Sequence, residues 1–286
     1  MLREREEDDQ FRRVFYGDCD ITEECVDTLN RIKNNHPNTA TLYINSNEEI
    51  ITELGWRLLG GYIAKNTHLK EINIESTNVN ASTLFELLVR SLSIRSLRLG
   101  RSVFGVTGES ICPFLENSPQ LISLSIINNN DVNSECFQIL ISALHNRGIK
   151  KLILSDCNIT NISALDRYHL PCLHTLNLNH NNIGREGCII LSNFQQNRGS
   201  TLRHLHLNST GIDNEGAEIL ATLLKNDTKL FLLDLEENNN ITESGYKALL
   251  KVVVDVSSIE NTYNSNQSLA SCYIGDDDTS NRPKSL

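Results

Sequence analysis

Aliphatic residues recur along the chain in one spelling, L-x-x-L-x-L-x-x-(N/C/T)-x-I, with polar residues in the gaps. The stretch LRHLHLNSTGI from Leu202 is a complete copy. The same phase returns in FRRVFYGDCDI from Phe11, LKEINIESTNV from Leu69, IRSLRLGRSVF from Ile94, IKKLILSDCNI from Ile149 and LHTLNLNHNNI from Leu173. Looser copies begin at Thr39, Leu121 and Leu230, each with its slot-eleven aliphatic one residue late, at Ile50, Val132 and Ile241. A truncated tenth copy, LASCYIGDD, begins at Leu269, and the first nine starts lie 24 to 30 residues apart.

Each slot has a physical job. Slots four and six share one face of a short strand and point inward, because side chains alternate along a strand. Strands are therefore expected at 14–16, 42–44, 72–74, 97–99, 124–126, 152–154, 176–178, 205–207 and 233–235. Slot nine holds Cys19, Asn47, Thr77, Ser102, Asn129, Cys157, Asn181, Thr210 and Asn238. All are small and carry a donor, as needed where a chain turns indoors and leaves carbonyls to satisfy. Second halves read as amphipathic helices. EGAEILATLLKN places Ala217, Leu220, Leu223 and Leu224 on one stripe, and Asn226 suits the left-handed residue that follows a helix.

Spelling and period match the leucine-rich repeat signature. With its helical second halves the chain resembles the ribonuclease-inhibitor-like class of that family over about residues 11–275. The resemblance implies an α/β solenoid, with a parallel sheet on its concave face and helices on its convex face. Strands spaced ~4.8 Å apart against helices spaced ~8–10 Å apart bend such a stack by roughly 20° per repeat, an open horseshoe folding as one cooperative unit. Residues 1–10 and 276–286 read as charged and polar tails. One departure is the short step from Ile149 to Leu173, where NITNISALDRYHLPC has too few residues for a full helix and ends near Pro171.

Charge narrows the partners. The formal net charge of -10 disfavours a duplex nucleic-acid binder, which needs a clustered basic footprint. MLREREEDDQ lacks the apolar run of a secretory signal, and no stretch reaches the ~18 apolar residues of a membrane span, so the expected compartment is cytoplasm or nucleus. The N-x-S/T triplets accordingly read as accidents of an Asn-rich repeat. Eight cysteines include no C-x-x-C pair. Cys136 and Cys188 sit sixteenth in their repeats and Cys25 fifteenth in its own; Cys19 and Cys157 fill slot nine. They read as compact buried apolar residues with reduced thiols.

Function is expected on slots three, five and seven, which are free of core duty. Partner-binding candidates there are Tyr43, Glu71, Asn73, Arg98, Lys151, Ile153, Asn177, His204, His206, Leu232, Asp234 and Glu236. Arg95, Arg98 and Arg101 lie beside Glu71 and Glu75, where ion pairing outweighs a phosphate or acidic-peptide site. Phe231, Leu232 and Tyr273 form either an apolar anchor or a patch covered by residues 255–268. His204 and His206, beside Asp234 and Glu236, have the ligand types of a transition-metal site but no evident second shell, so no metal is expected. Asp234 is expected instead to favour protonated His206. No phosphate loop, dinucleotide fingerprint or nucleophile elbow occurs, so neither catalysis nor a cofactor is expected. The reading is a monomeric protein-binding module without a membrane or nucleic-acid partner. Alternatives are a GTPase activator resembling the Ran activator, although only Asp276–Asp278 stand where that family carries a long acidic tail, and a fragment of a larger receptor or ubiquitin-ligase adaptor, since a charged decapeptide is little cover for a solenoid end.

Overall fold

The computed structural model describes residues 23–45, 51–75, 80–100, 105–197, 199–253 and 268–274. They belong to two compact units, Met1–Asp131 and Val132–Leu286. In the first, α1 (Glu23–Lys33), β1 (Thr41–Asn45), α2 (Glu53–Lys65), β2 (Glu71–Glu75), α3 (Ala81–Leu88), β3 (Ser96–Leu99), α4 (Gly108–Glu116) and β4 (Ser123–Asn133) alternate, β4 ending two residues past that unit. In the second follow α5 (Ser134–Ala143), β5 (Lys151–Asn158), α6 (Ala164–Arg167), β6 (Thr175–Asn177), α7 (Gly184–Gln196), β7 (His204–His206), α8 (Asn214–Asn226), β8 (Leu232–Asp234), α9 (Glu243–Val253) and β9 (Ser271–Tyr273). In each unit parallel strands alternate with helices, the α/β repeat expected from the sequence.

Every described strand starts at slot three of its repeat, and pairing sets each slot against the same slot. Leu42, Ile72, Leu97 and Leu124 form one inward row in the first unit. Leu152, Leu176, Leu205, Leu233 and Cys272 form the corresponding row in the second. The expected strands at 42–44, 72–74, 97–99, 124–126 and 152–154 fall inside observed ones. Those expected at 176–178, 205–207 and 233–235 start and end one residue earlier. There the chain begins to turn after slot five, although the slot-six amides of Leu178, Leu207 and Leu235 still donate to His206, Asp234 and Tyr273 carbonyls at 2.8–3.0 Å. The strand expected at 14–16 lies outside the described residues.

The turn has two parts. Slot eight is left-handed in Asn128, Asp156, His180, Ser209 and Glu237, with φ between 53° and 57°. Asn, Asp and His tolerate that region better than most residues; Glu237 adopts it because its neighbours demand it. Slot nine then faces inward. Asn181 Nδ2 donates to the carbonyls of Leu154 (2.7 Å) and Leu178 (2.9 Å), while its Oδ1 accepts from Ile159 N (3.1 Å). Asn238 repeats this one turn on, donating to Leu207 O (2.7 Å) and Leu235 O (3.0 Å) and accepting from Thr210 N and Ile212 N, both 3.0 Å. Thr210 Oγ1 adds a bond to Leu207 O at 2.7 Å. Asn181 and Asn238 thus satisfy carbonyls of their own and the preceding repeat, and Thr210 one of its own. Cys19, Asn47, Thr77 and Ser102 lie outside the described residues.

Helices close the other side. Side-chain oxygens of Thr52, Asn80, Thr107, Asn133 and Asp213 each accept a first-turn amide, a local start signal written in the sequence. Ala217, Leu220, Leu223 and Leu224 are buried on the stripe expected of α8. Asn226 is not a left-handed cap: α8 runs through it and ends at Asp227, whose backbone is extended (φ -85°, ψ 131°). Asp227 Oδ1 accepts from Lys229 N and Leu230 N, so this carboxylate makes the stop that the asparagine was expected to make. The short step produces only the four-residue α6. Cys136, Cys157 and Cys188 are buried as expected, and burial followed by the Asp213 charge pushes the Cys188 thiol up to about 12. Cys19 and the side chain of Cys25 lie outside the described residues.

Leu205 is 2% exposed, whereas Asn208 is half-buried and its Oδ1 is enclosed without a hydrogen bond. Slot seven is therefore less open than the repeat pattern implies. Leu205→Asp is expected to cost more than ~4 kcal/mol, through the lost core volume and a charge in a dry interior. Asn208→Asp should cost about 1 kcal/mol. Thermal unfolding of the two variants checks this; equal melting temperatures would mean that the register is wrong.

Candidate functional site

Slots three, five and seven lie on the face of the sheet turned away from the helices. In the first unit, register places Tyr43, Asn73 and Arg98 side by side at slot five, with Glu71 at slot three of β2. Glu75, at slot seven, links two of them: its Oε2 accepts from the Tyr43 hydroxyl at 3.3 Å and its Oε1 pairs with Arg98 Nε at 3.0 Å. Gly100 leaves the room, since a Cβ there would meet Glu75 Cγ at 2.9 Å. The expected ion pairing is thus present between Arg98 and Glu75. Both partners reach solvent, so the pair contributes roughly 0–1 kcal/mol. Arg101 lies outside the described residues. Ser125, next to Arg98 at slot five, is only 5% exposed, and neither its Oγ nor Asn73 Oδ1 forms a hydrogen bond among the described residues. Slot five is therefore not open throughout; long neighbours fold over short ones.

In the second unit, Lys151, Thr175, His204 and Leu232 make the slot-three row, and Ile153, Asn177, His206, Asp234 and Tyr273 the slot-five row. Lys151 and Tyr273 are exposed, while Ile153, Asn177, His204, His206, Leu232, Asp234 and Glu236 are half-buried. Several polar groups are held in place by backbone. Asn177 Oδ1 accepts from Asn179 N at 2.9 Å, Asn179 Oδ1 from Asn208 N at 2.9 Å, and Asp234 Oδ1 from Glu236 N at 3.2 Å. Asp234 Oδ2 lies 3.5 Å from His206 Nδ1, the neighbour that register requires.

His204 faces other surroundings. Its Nδ1 is 3.3 Å from Thr175 Oγ1, and its ring meets Phe231 edge-on at 6.0 Å between centroids. Desolvation, followed by the charges of His206, Arg203 and His174, holds its pKa below the ordinary histidine value. Among the described residues, no group of three or more His, Cys, Asp or Glu is placed to hold a metal ion.

Function was expected at slots three, five and seven, and of slot two only Arg95 and Phe231 were singled out. Its residues Lys150, His174, Arg203 and Phe231 are tied into a row by backbone bonds from His174 N, Arg203 N and Phe231 N to the preceding slot-two carbonyl, at 2.8–2.9 Å. Lys150, Arg203 and Phe231 are exposed and His174 is half-buried. Reading slot two down the repeats would have shown this run of cations.

Folding partly buries His204 and brings it into positive company, so it favours the neutral form. Its contribution to stability is complete above the ordinary histidine range and declines as pH falls through that range toward the lowered folded value. By NMR its titration midpoint should lie below that of a free histidine and rise in His206→Gln, where one repelling neighbour is gone. An unchanged midpoint in that variant would remove the His206 coupling, leaving burial, the larger cause, with Arg203 and His174.

Two models of leucine-rich repeats match the chain, one with two copies at residues 147–185 and one with a single copy at residues 200–221. Among curated relatives, mouse (Mus musculus) NACHT, LRR and PYD domains-containing protein 5 is 30% identical over 64% of this chain and 16% of its own length. The protein phosphatase 1 regulatory subunit 37 homolog of Caenorhabditis briggsae is 28% identical over 79% of this chain and 23% of its own. Pig (Sus scrofa) ribonuclease inhibitor is 27% identical over 70% of this chain and 46% of its own. The chain thus spans less than half the length of each of these relatives. Matching repeat models, slot-by-slot strand register and similarity to ribonuclease inhibitor converge: the chain is a leucine-rich repeat protein of the ribonuclease-inhibitor-like class.

Proposed function

We propose that the chain is a non-enzymatic protein-interaction module that binds a protein partner on the exposed face of its sheet, acting as a monomer in the cytoplasm or nucleus. The observation that carries the reading is a division of labour within each strand. The inward rows are almost uniformly aliphatic, whereas the outward slot-five row changes chemistry at each step, from Ile153 to Asn177, His206, Asp234 and Tyr273. A surface varied at regular intervals on an invariant scaffold suits recognition of another protein's relief. Exposed Tyr43, Phe231 and Tyr273 supply rigid aromatic area of the kind that dominates interfaces. The names of two relatives, an inhibitor of ribonuclease and a regulatory subunit of a phosphatase, support an adaptor-like role. Among the described residues no helix is long and apolar enough to cross a membrane.

Affinity capture with quantitative mass spectrometry tests this with two variants of the full chain. Ile153→Arg with Tyr273→Ala alters the sheet face, and Glu218→Arg alters the exposed side of α8. The first should lose the captured partner by roughly tenfold or more with its melting temperature kept, since interface anchors carry about 2 kcal/mol or more each. The second should retain it. Loss through the α8 variant with retention through the sheet variant would place the contact on the helices and contradict the reading.

A further inference from the structure

The basic row at the start of the second unit's strands has no evident task in the fold. Lys150, His174 and Arg203 stand in adjacent repeats, joined carbonyl to amide, with Lys151 and His204 beside them at slot three. Strand spacing of ~4.8 Å makes the row from Lys150 to Phe231 about 14 Å long. The side chains of Lys150, Lys151 and Arg203 are exposed and make no ion pair among the described residues. Neighbouring acids are occupied elsewhere. Asp234 faces His206 and the Glu236 amide, and Asp227 accepts from Gln195 Nε2 at 2.7 Å and from two backbone amides. Asp156 and Glu237 sit at slot eight, six residues along the chain from slot two. In a chain of net charge -10, an uncompensated row of cations is a local exception. After burial and His206, Arg203 and His174 add to the repulsion of His204 from its charged form.

We infer that this rim docks an acidic segment of the partner protein, with Asp or Glu side chains set against Lys150, Lys151 and Arg203 and an apolar neighbour against Phe231. The inference rests on the protein-binding reading above and names the chemistry of one part of the contact. An extended peptide advances ~3.4 Å per residue, so about four or five residues cover the row. Carboxylates are favoured over a nucleic-acid strand because the row is short and the chain's overall negative field opposes a longer polyanion reaching past it. Such a rim acts mainly on encounter rate and choice of partner, and salt weakens it.

The test uses the full chain and a fluorescent hexaglutamate peptide, with hexaglutamine and a hexathymidylate strand as comparisons. Wild type should bind hexaglutamate in about 0.1 M salt and release it in about 1 M, as the screening length falls from about 10 Å to about 3 Å. Lys150→Glu with Arg203→Glu should weaken binding roughly tenfold or more. Lys225→Glu with Lys251→Glu, an equal charge change on exposed helix positions, should leave it within about twofold. Melting temperatures confirm that both variants fold. No binding by wild type, equal weakening by both pairs, or tighter binding of hexathymidylate would each overturn the inference. In the capture experiment, a partner lost through Ile153→Arg with Tyr273→Ala but kept through the rim pair would sink this inference and leave the broader reading standing.

Discussion

Inside a repeat the chain turns where no water reaches, and the carbonyls of slots six and seven need donors that the strand ladder no longer provides. Asn181 and Asn238 meet this constraint with one side chain each. Nδ2 donates to carbonyls in its own repeat and the one before, and Oδ1 returns a bond to amides of that preceding repeat. A buried amide left unpaired costs about 1–3 kcal/mol, so the turns held by Asn181 and Asn238 need such a residue. That requirement locks successive repeats into one register and sends slots four and six inward together.

The same lock frees the other face. Once register is held from inside, residues at slots three, five and seven can change without loss of fold, and they do: a tyrosine–glutamate–arginine chain in one unit, an asparagine and histidine surface in the other. Freedom is not complete. Ser125 and the side-chain oxygen of Asn208 are covered by their neighbours, so exposure depends on side-chain length in adjacent repeats as well as on slot. The row at slot two escapes that crowding because it stands at the strand entrance, where its carbonyls carry the ladder and its side chains remain outside.

Strand positions, slot-nine donors, the helix stripe of α8 and the stunted α6 were legible because each follows from local spacing. A periodic apolar pattern with a small donor at a fixed place admits few structures. The left-handed slot eight was not legible: Asn128, Asp156 and His180 hint at it, but Ser209 and Glu237 do not, and the conformation is imposed by the turn. Nor was the end of α8, where Asp227 and Asn226 are equally plausible stops by residue type and only the hydrogen bonds to Lys229 and Leu230 decide. Candidate sheet-face residues were readable as a surface. Their pairing was readable only where register alone sets it, as for His206 with Asp234.

Amide hydrogen exchange in wild type and Asn238→Ala tests most directly whether slot nine holds the repeats together. The amides of Thr210 and Ile212, which donate to Asn238 Oδ1, should be strongly protected in wild type and exchange at least tenfold faster in the variant, a change of roughly 1.4 kcal/mol or more. Unchanged protection at both amides, with unchanged thermal stability, would show that the turn satisfies its backbone by other means and that the repeats do not depend on this side chain.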